Sequence, residues 1–119
     1  MSLKTRKHLP TYPSGIVEVF QDRAGASTFS AKRNPRTLDD LEAVVTLCYS
    51  AESVRESDVS MAHQEGVAIA LKLRTPFVDG VSVKQKALVD GKLYDIIRVD
   101  PDGRRQLFIY LSGGRAIDG

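Results

Sequence analysis

Two turn signatures near the C-terminal end constrain this chain's fold more than any other feature. Asp90-Gly91 separates Val83–Val89 from Leu93–Val99, and Asp100-Pro101-Asp102-Gly103 separates that second run from Gln106–Leu111. An Asp-Gly pair accepts the positive φ angles of a tight hairpin turn. In the second turn, proline presets one backbone angle and glycine tolerates the other. Three consecutive apolar runs joined in this way predict an antiparallel β-meander. In the last run Leu107, Ile109 and Leu111 alternate with Phe108 and Tyr110. It is therefore apolar on both faces, as a central strand is.

The same period of two extends upstream. Val67, Ile69, Leu71 and Leu73 alternate with Ala68, Ala70, Lys72 and Arg74, which predicts a strand whose four larger apolar side chains face the core. Ile16–Phe20 and Leu41–Ala51 also read as strands, the second carrying Val44, Val45, Leu47 and Tyr49. The intervening polar stretch, Gln21 to Asp40, contains Gly25 and Pro35 and is read as a long loop. Loops of that length inside one domain are uncommon and tend to be functional or disordered. Thr28–Ala31 is its only strand-like piece.

After Ala51 the alternation stops. Ser53 and Glu56 stand at capping-box spacing, and Ser57 offers a second cap. A short helix over about residues 54–65 follows, with Val54, Met61 and Ala62 on one face and Gly66 as its terminator. The expectation is a mainly β fold: a small antiparallel β-barrel or sandwich, residues 15–112, with one short helix and a long loop at 21–40. Flexible tails are expected at 1–14 and 113–119. Gly113-Gly114-Arg115 lacks the further glycine spacing and the helix that phosphate cradling requires.

The 119 residues are about one domain's worth. With 42% hydrophobic and 27% charged residues, the composition is that of a folded chain. No apolar run approaches the roughly 18 residues of a membrane span, and no secretory leader pattern opens the sequence, so no membrane partner is expected. The single cysteine, Cys48, excludes an internal disulfide and a cysteine zinc cage, consistent with synthesis in a reducing cytoplasm.

The net charge of +2 is unevenly spread. Residues 1–36 hold seven Lys/Arg against two acidic residues, residues 37–65 hold Arg55 against seven, and residues 66–119 hold nine against six. Arg23, Lys32, Arg33 and Arg36 give the long loop a positive tip, while Asp39, Asp40, Glu42, Glu56 and Asp58 form an acidic block. Opposite patches on one chain suit head-to-tail contact between copies or docking on a charged partner.

No catalytic constellation emerges. His8 and His63 are isolated, and Cys48 in its strand is read as a buried, inert thiol. Asp39, Asp40 and Glu42 lack the ligand spacing of a calcium or magnesium site. The chain is read as non-enzymatic, with no cofactor, metal or catalytic residue. Tyr94, Phe108 and Tyr110 raise the alternative of an OB-like base-stacking platform, with Lys72, Arg74, Lys84, Lys86 and Arg98 as its basic groove. Against that stands the competing role of one aromatic row as a second core layer.

Three segments, in order, resemble one family. Glu52-Ser53-Val54-Arg55-Glu56-Ser57-Asp58-Val59, running into Met61–Gly66, is similar to a short helix with an R-x-S-D start. Ala68–Pro76 is similar to a strand that ends in a basic residue, a small residue and proline. Val89-Asp90-Gly91-Lys92-Leu93-Tyr94-Asp95-Ile96-Ile97 is similar to a D-G-x-x-Y-x-I hairpin, followed by Arg105–Leu111. Across residues 41–112 the chain resembles the head-closure, or head–tail joining, proteins of tailed bacteriophages and prophages. The resemblance implies a noncatalytic virion component that forms a homo-oligomeric ring under the portal and its adaptor. Such a ring closes the DNA channel and receives the tail in the virion neck, after assembly in the bacterial cytoplasm. The ring belongs to the assembled neck, a monomer in isolation is compatible with it, and DNA is met only through the channel. The Arg23, Lys32, Arg33 and Arg36 loop becomes a partner or channel element, and the acidic block a subunit contact.

Overall fold

At Asp90-Gly91 the backbone turns with φ of 51° and 78°, and Val89 pairs directly with Lys92 across it. This is the two-residue hairpin that the Asp-Gly pair predicts. It belongs to a computed structural model that describes residues 12–22 and 41–116. The elements are β1 (Gly15–Asp22), β2 (Leu41–Glu52), α1 (Glu56–Gln64), β3 (Leu71–Pro76), β4 (Lys86–Val89), β5 (Lys92–Asp102) and β6 (Gln106–Ala116). Every neighbouring pair is antiparallel, and the order β1-β2-β3-β6-β5-β4 closes into a barrel through β1 and β4. The mainly β fold is a barrel, and the meander is β4-β5-β6.

Inward-facing side chains fill the ring. Val17, Val19, Leu47, Tyr49, Leu73, Ala87, Val89, Ile96, Leu107, Ile109 and Leu111 form one buried cluster. A bulge between Val19 and Phe20 breaks the β1–β2 register, so that Val19 pairs with Val45 and Phe20 with Ala43. Past it, Phe20 and Leu41 join Leu93 and Leu88 in a second cluster. Leu88 and Leu93 are cross-strand partners, out of phase with the inward Ala87 and Val89, so this group lies on the outer face.

Several boundaries differ from expectation. The third strand begins at Leu71, so Val67 and Ile69 do not join a row of four core side chains. Leu73 is fully buried, Leu71 partly, and Val67 is 36% exposed. Residues 67–70 are spent leaving the helix. The Gly66 amide donates to the His63 carbonyl and the Val67 amide to the Ala62 carbonyl, and Gly66 has φ of 76°. That is a Schellman ending.

The second turn falls at residues 103–105, because β5 runs through Pro101 to Asp102. Beyond Asp95, β5 no longer pairs with β4, and a strand side without a partner tolerates proline's missing N–H.

Neither end of the domain is a free tail where it is described. β6 continues to Ala116, and Gly114 is needed there because a Cβ would stand 2.5 Å from the Tyr94 ring. At the other end, the Ser14 amide donates to the Tyr49 carbonyl and the Ala51 amide to Ser14 Oγ.

Candidate functional site

The helix lies between β2 and β3 in sequence, yet those strands pair directly, with Ala51 opposite Leu73 and Glu52 opposite Lys72. It is an excursion from a closed wall, and what seats it there is mostly polar. Arg55, not Ser53 or Ser57, is its N-cap. Asp58, three residues on, accepts the Arg55 amide at 3.0 Å, which satisfies one of the N–H groups a helix start leaves orphaned. Val54 and Val59 fall at N′ and N4, the spacing of a hydrophobic staple, yet both stay exposed, at 37% and 54%.

The same carboxylate reaches the barrel. Lys72 Nζ, from β3, donates to Asp58 Oδ2 at 3.0 Å, and the Tyr110 hydroxyl, from β6, donates to Oδ1 at 3.4 Å. The Lys72 side chain is only 6% exposed and that of Asp58 13%. The ammonium also lies 5.4 Å from the Phe108 ring centroid and 5.2 Å from that of Tyr110, inside the range of cation–π attraction. Lys72 and Tyr110 are register partners, as are Arg74 and Phe108, so Lys72, Phe108 and Tyr110 share the outer face of β3 and β6.

Burial disfavours the ionised form of Asp58. The Arg55 amide, the Lys72 ammonium and the Tyr110 hydroxyl outweigh it and hold the carboxyl below its ordinary pKa. For Lys72, burial likewise opposes the charge, and hydrogen bonding to Asp58 and Tyr110 lifts the pKa above the usual lysine value. The arrangement is an ion pair with every member satisfied, the condition under which a buried pair is tolerated.

This geometry revises the sequence-based sites. Asp58 is engaged within its own chain and is not a free member of a subunit-contact patch. Glu42 accepts a hydrogen bond from Gln21 Nε2 at 2.9 Å on the β1–β2 ladder, and Glu56 is exposed in the first helical turn. Arg23, Lys32, Arg33, Arg36, Asp39 and Asp40 lie outside the described residues, as does Thr28–Ala31. Cys48 is exposed, not buried, because it sits opposite Ile16, out of phase with the inward Leu47 and Tyr49.

The basic groove of the alternative reading is mostly paired internally. Lys72 meets Asp58, Arg74 meets Glu52, Lys86 meets Asp95 and Arg98 meets Asp100. Arg74 also stacks 5.0 Å from the Tyr12 ring centroid. The first two pairs join the acidic block of residues 37–65 to the basic block of 66–119 inside one chain, so part of the charge segregation is resolved by folding. Of the proposed stacking residues, Tyr110 is buried, Phe108 is half-buried beside Lys72, and Tyr94 packs against the barrel core. No group of three or more metal-ligating side chains occurs among the described residues. The Asp58–Lys72–Tyr110 cluster escaped sequence reasoning because its members are 14 and 52 residues apart, and no local pattern links them. The sequence matches no known family model and no characterised protein.

Proposed function

We propose that this chain is a noncatalytic neck component of a tailed phage or prophage. In this reading its copies form a ring beneath the portal and adaptor, close the DNA channel after packaging, and present a docking surface to the tail. The observation that supports it is the agreement between the architecture that the residue 41–112 resemblance implies and the architecture described: a small closed antiparallel barrel carrying one short helix. Residues 23–40, between β1 and β2, are assigned to the channel or to a neighbouring subunit, with Arg23, Lys32, Arg33 and Arg36 as the contacting charges. With Asp58 occupied internally, the exposed Glu56 and the sequence-adjacent Asp39 and Asp40 are the acidic partners available to them.

The test is complementation. Deleting the gene from an inducible phage that carries it should yield heads that lose DNA and lack tails, and the wild-type gene should restore particles. A variant with Lys32, Arg33 and Arg36 changed to Ser should keep a near-normal unfolding midpoint, yet fail to restore DNA-retaining heads. Normal infectious particles from the deletion would defeat the proposal.

The OB-like alternative makes a different demand, tight and base-selective binding of short single strands at physiological salt. An OB-fold is a five-stranded, partly open barrel; this ring has six strands and is closed.

A further inference from the structure

We infer that α1 docks and undocks as a unit on a barrel that stays closed, with Asp58 as its pin. Three observations carry this. First, β2 and β3 are already paired at Ser50–Arg74, Ala51–Leu73 and Glu52–Lys72, so releasing the helix between them breaks no strand pairing. Second, the helix buries little: Ala62 is its single buried residue, and its other members are exposed or half-exposed. Residues 53–55 and 65–68, on either side of it, are exposed as well. Third, one helix side chain carries ties to two barrel strands and to its own helix start. Asp58 holds Lys72 and Tyr110, and it also accepts the Arg55 amide at the helix start. Losing that carboxylate therefore removes the anchor and the cap together.

The charged and titratable groups around the pin are Lys72 from β3, Tyr110 from β6 and Arg55 from the helix's own N-terminus; at the far end Glu65 is attracted to Arg98. Undocking exposes Lys72 between the Phe108 and Tyr110 rings, the set of side chains that Asp58 occupies in the docked state. The helix is thus a latch over a cation held between two aromatic rings. Elements with few buried apolar contacts open at lower free energy than the core they sit on.

Native-state hydrogen exchange on the full chain, over a series of sub-denaturing urea concentrations, tests this. A released helix of nine residues is too short to persist in water, so amides of Val59–Gln64 should exchange through an opening only weakly dependent on urea, because little surface is exposed. Amides of Leu73 and Ile109 should exchange only through a strongly urea-dependent opening. Asp58→Asn should accelerate exchange in the helix by about 10- to 100-fold, the equivalent of one charge-assisted hydrogen bond, and leave the urea-dependent opening of the core as the slowest event. Tyr110→Phe, which spares the ion pair, should accelerate the helix less. If helix and core amides of the wild-type protein share one urea dependence, or if either variant leaves helix exchange unchanged, the latch is wrong. The wild-type series decides the question even where Asp58→Asn fails to fold.

Discussion

Lys72 and Leu73 are neighbours in β3, both nearly lost to solvent, and they are held by different physics. Leu73 points into the ring and is fully buried within a cluster drawn from all six strands. Its stabilisation is non-directional and shared among many contacts. Lys72 points outward beneath the helix, where burial opposes its charge, and it is tolerated because Asp58, Phe108 and Tyr110 surround it. The inner layer is redundant, whereas the seat of the helix leans on the Asp58 carboxylate. A closed barrel with a polar-pinned helix can therefore lose its outer ornament without losing its frame.

The largest effect should come from the inner layer. Leu73→Ala should destabilise by about 2–5 kcal/mol, read as a fall in the urea midpoint, and Leu71→Ala should cost visibly less because Leu71 is only partly buried. Equal costs would erase the distinction between the strand's core position and its first residue. Next, Gly114→Ala should cost about 1–3 kcal/mol, because the new methyl meets the Tyr94 ring and Gly114 has φ of 116°. An unchanged midpoint there would place the C-terminal end of β6 outside the packed ring.

Asp58→Asn should cost about 1–3 kcal/mol in a global unfolding measurement. The sharper reading is a double-mutant cycle with Lys72→Met, in which the double variant should be more stable than additivity of the two single changes predicts. A strictly additive cycle would mean that the pair does not couple.

The same pin sets a pH window. The folded pKa of Asp58 is depressed, so its contribution is whole above the unfolded carboxyl value of about 3.9 and is lost as pH falls through the lower folded value. The folded pKa of Lys72 is raised, so its contribution is whole below the unfolded amine value of about 10.4 and is lost as pH rises through the higher folded value. Stability from the pair should be flat between these limits, and helix protection should fall in acid before the barrel unfolds, as followed by exchange at successive pH values.

The smallest effect belongs to the outer wall. Cys48→Ser should change stability by less than about 0.5 kcal/mol, and Cys48 should react readily with a thiol reagent in the native protein. Protection of the thiol would restore the buried position that the sequence suggested.

These comparisons also mark what sequence could and could not reveal. The Asp90-Gly91 hairpin, the alternation of β6 and the Gly66 helix ending are written in local chemistry, and each appears where its residues require. Local chemistry does not encode phase relative to distant strands. Its valine neighbours alone would turn Cys48 inward, but the pairing of β2 with β1 turns it out beside Ile16. The charge blocks suggested contact between copies, whereas folding brings Glu52 and Asp58 onto Arg74 and Lys72 of the same chain. The Gly113-Gly114 pair reads, by small size alone, as the start of a tail; in the barrel Gly114 makes room for the Tyr94 ring, and Gly113 takes a positive φ of 77° within β6. The resemblance over residues 41–112 supplied the function proposed here, and no side-chain constellation would have done so.

That function is most directly tested by finding where the protein resides in a finished particle. Electron cryo-microscopy of purified, DNA-filled particles from the carrying phage should show a ring of these barrels at the neck, between the portal assembly and the tail. Particles that are complete, tailed and infectious yet contain no copy of the chain, or contain it only in the capsid shell or tail tube, would contradict the account.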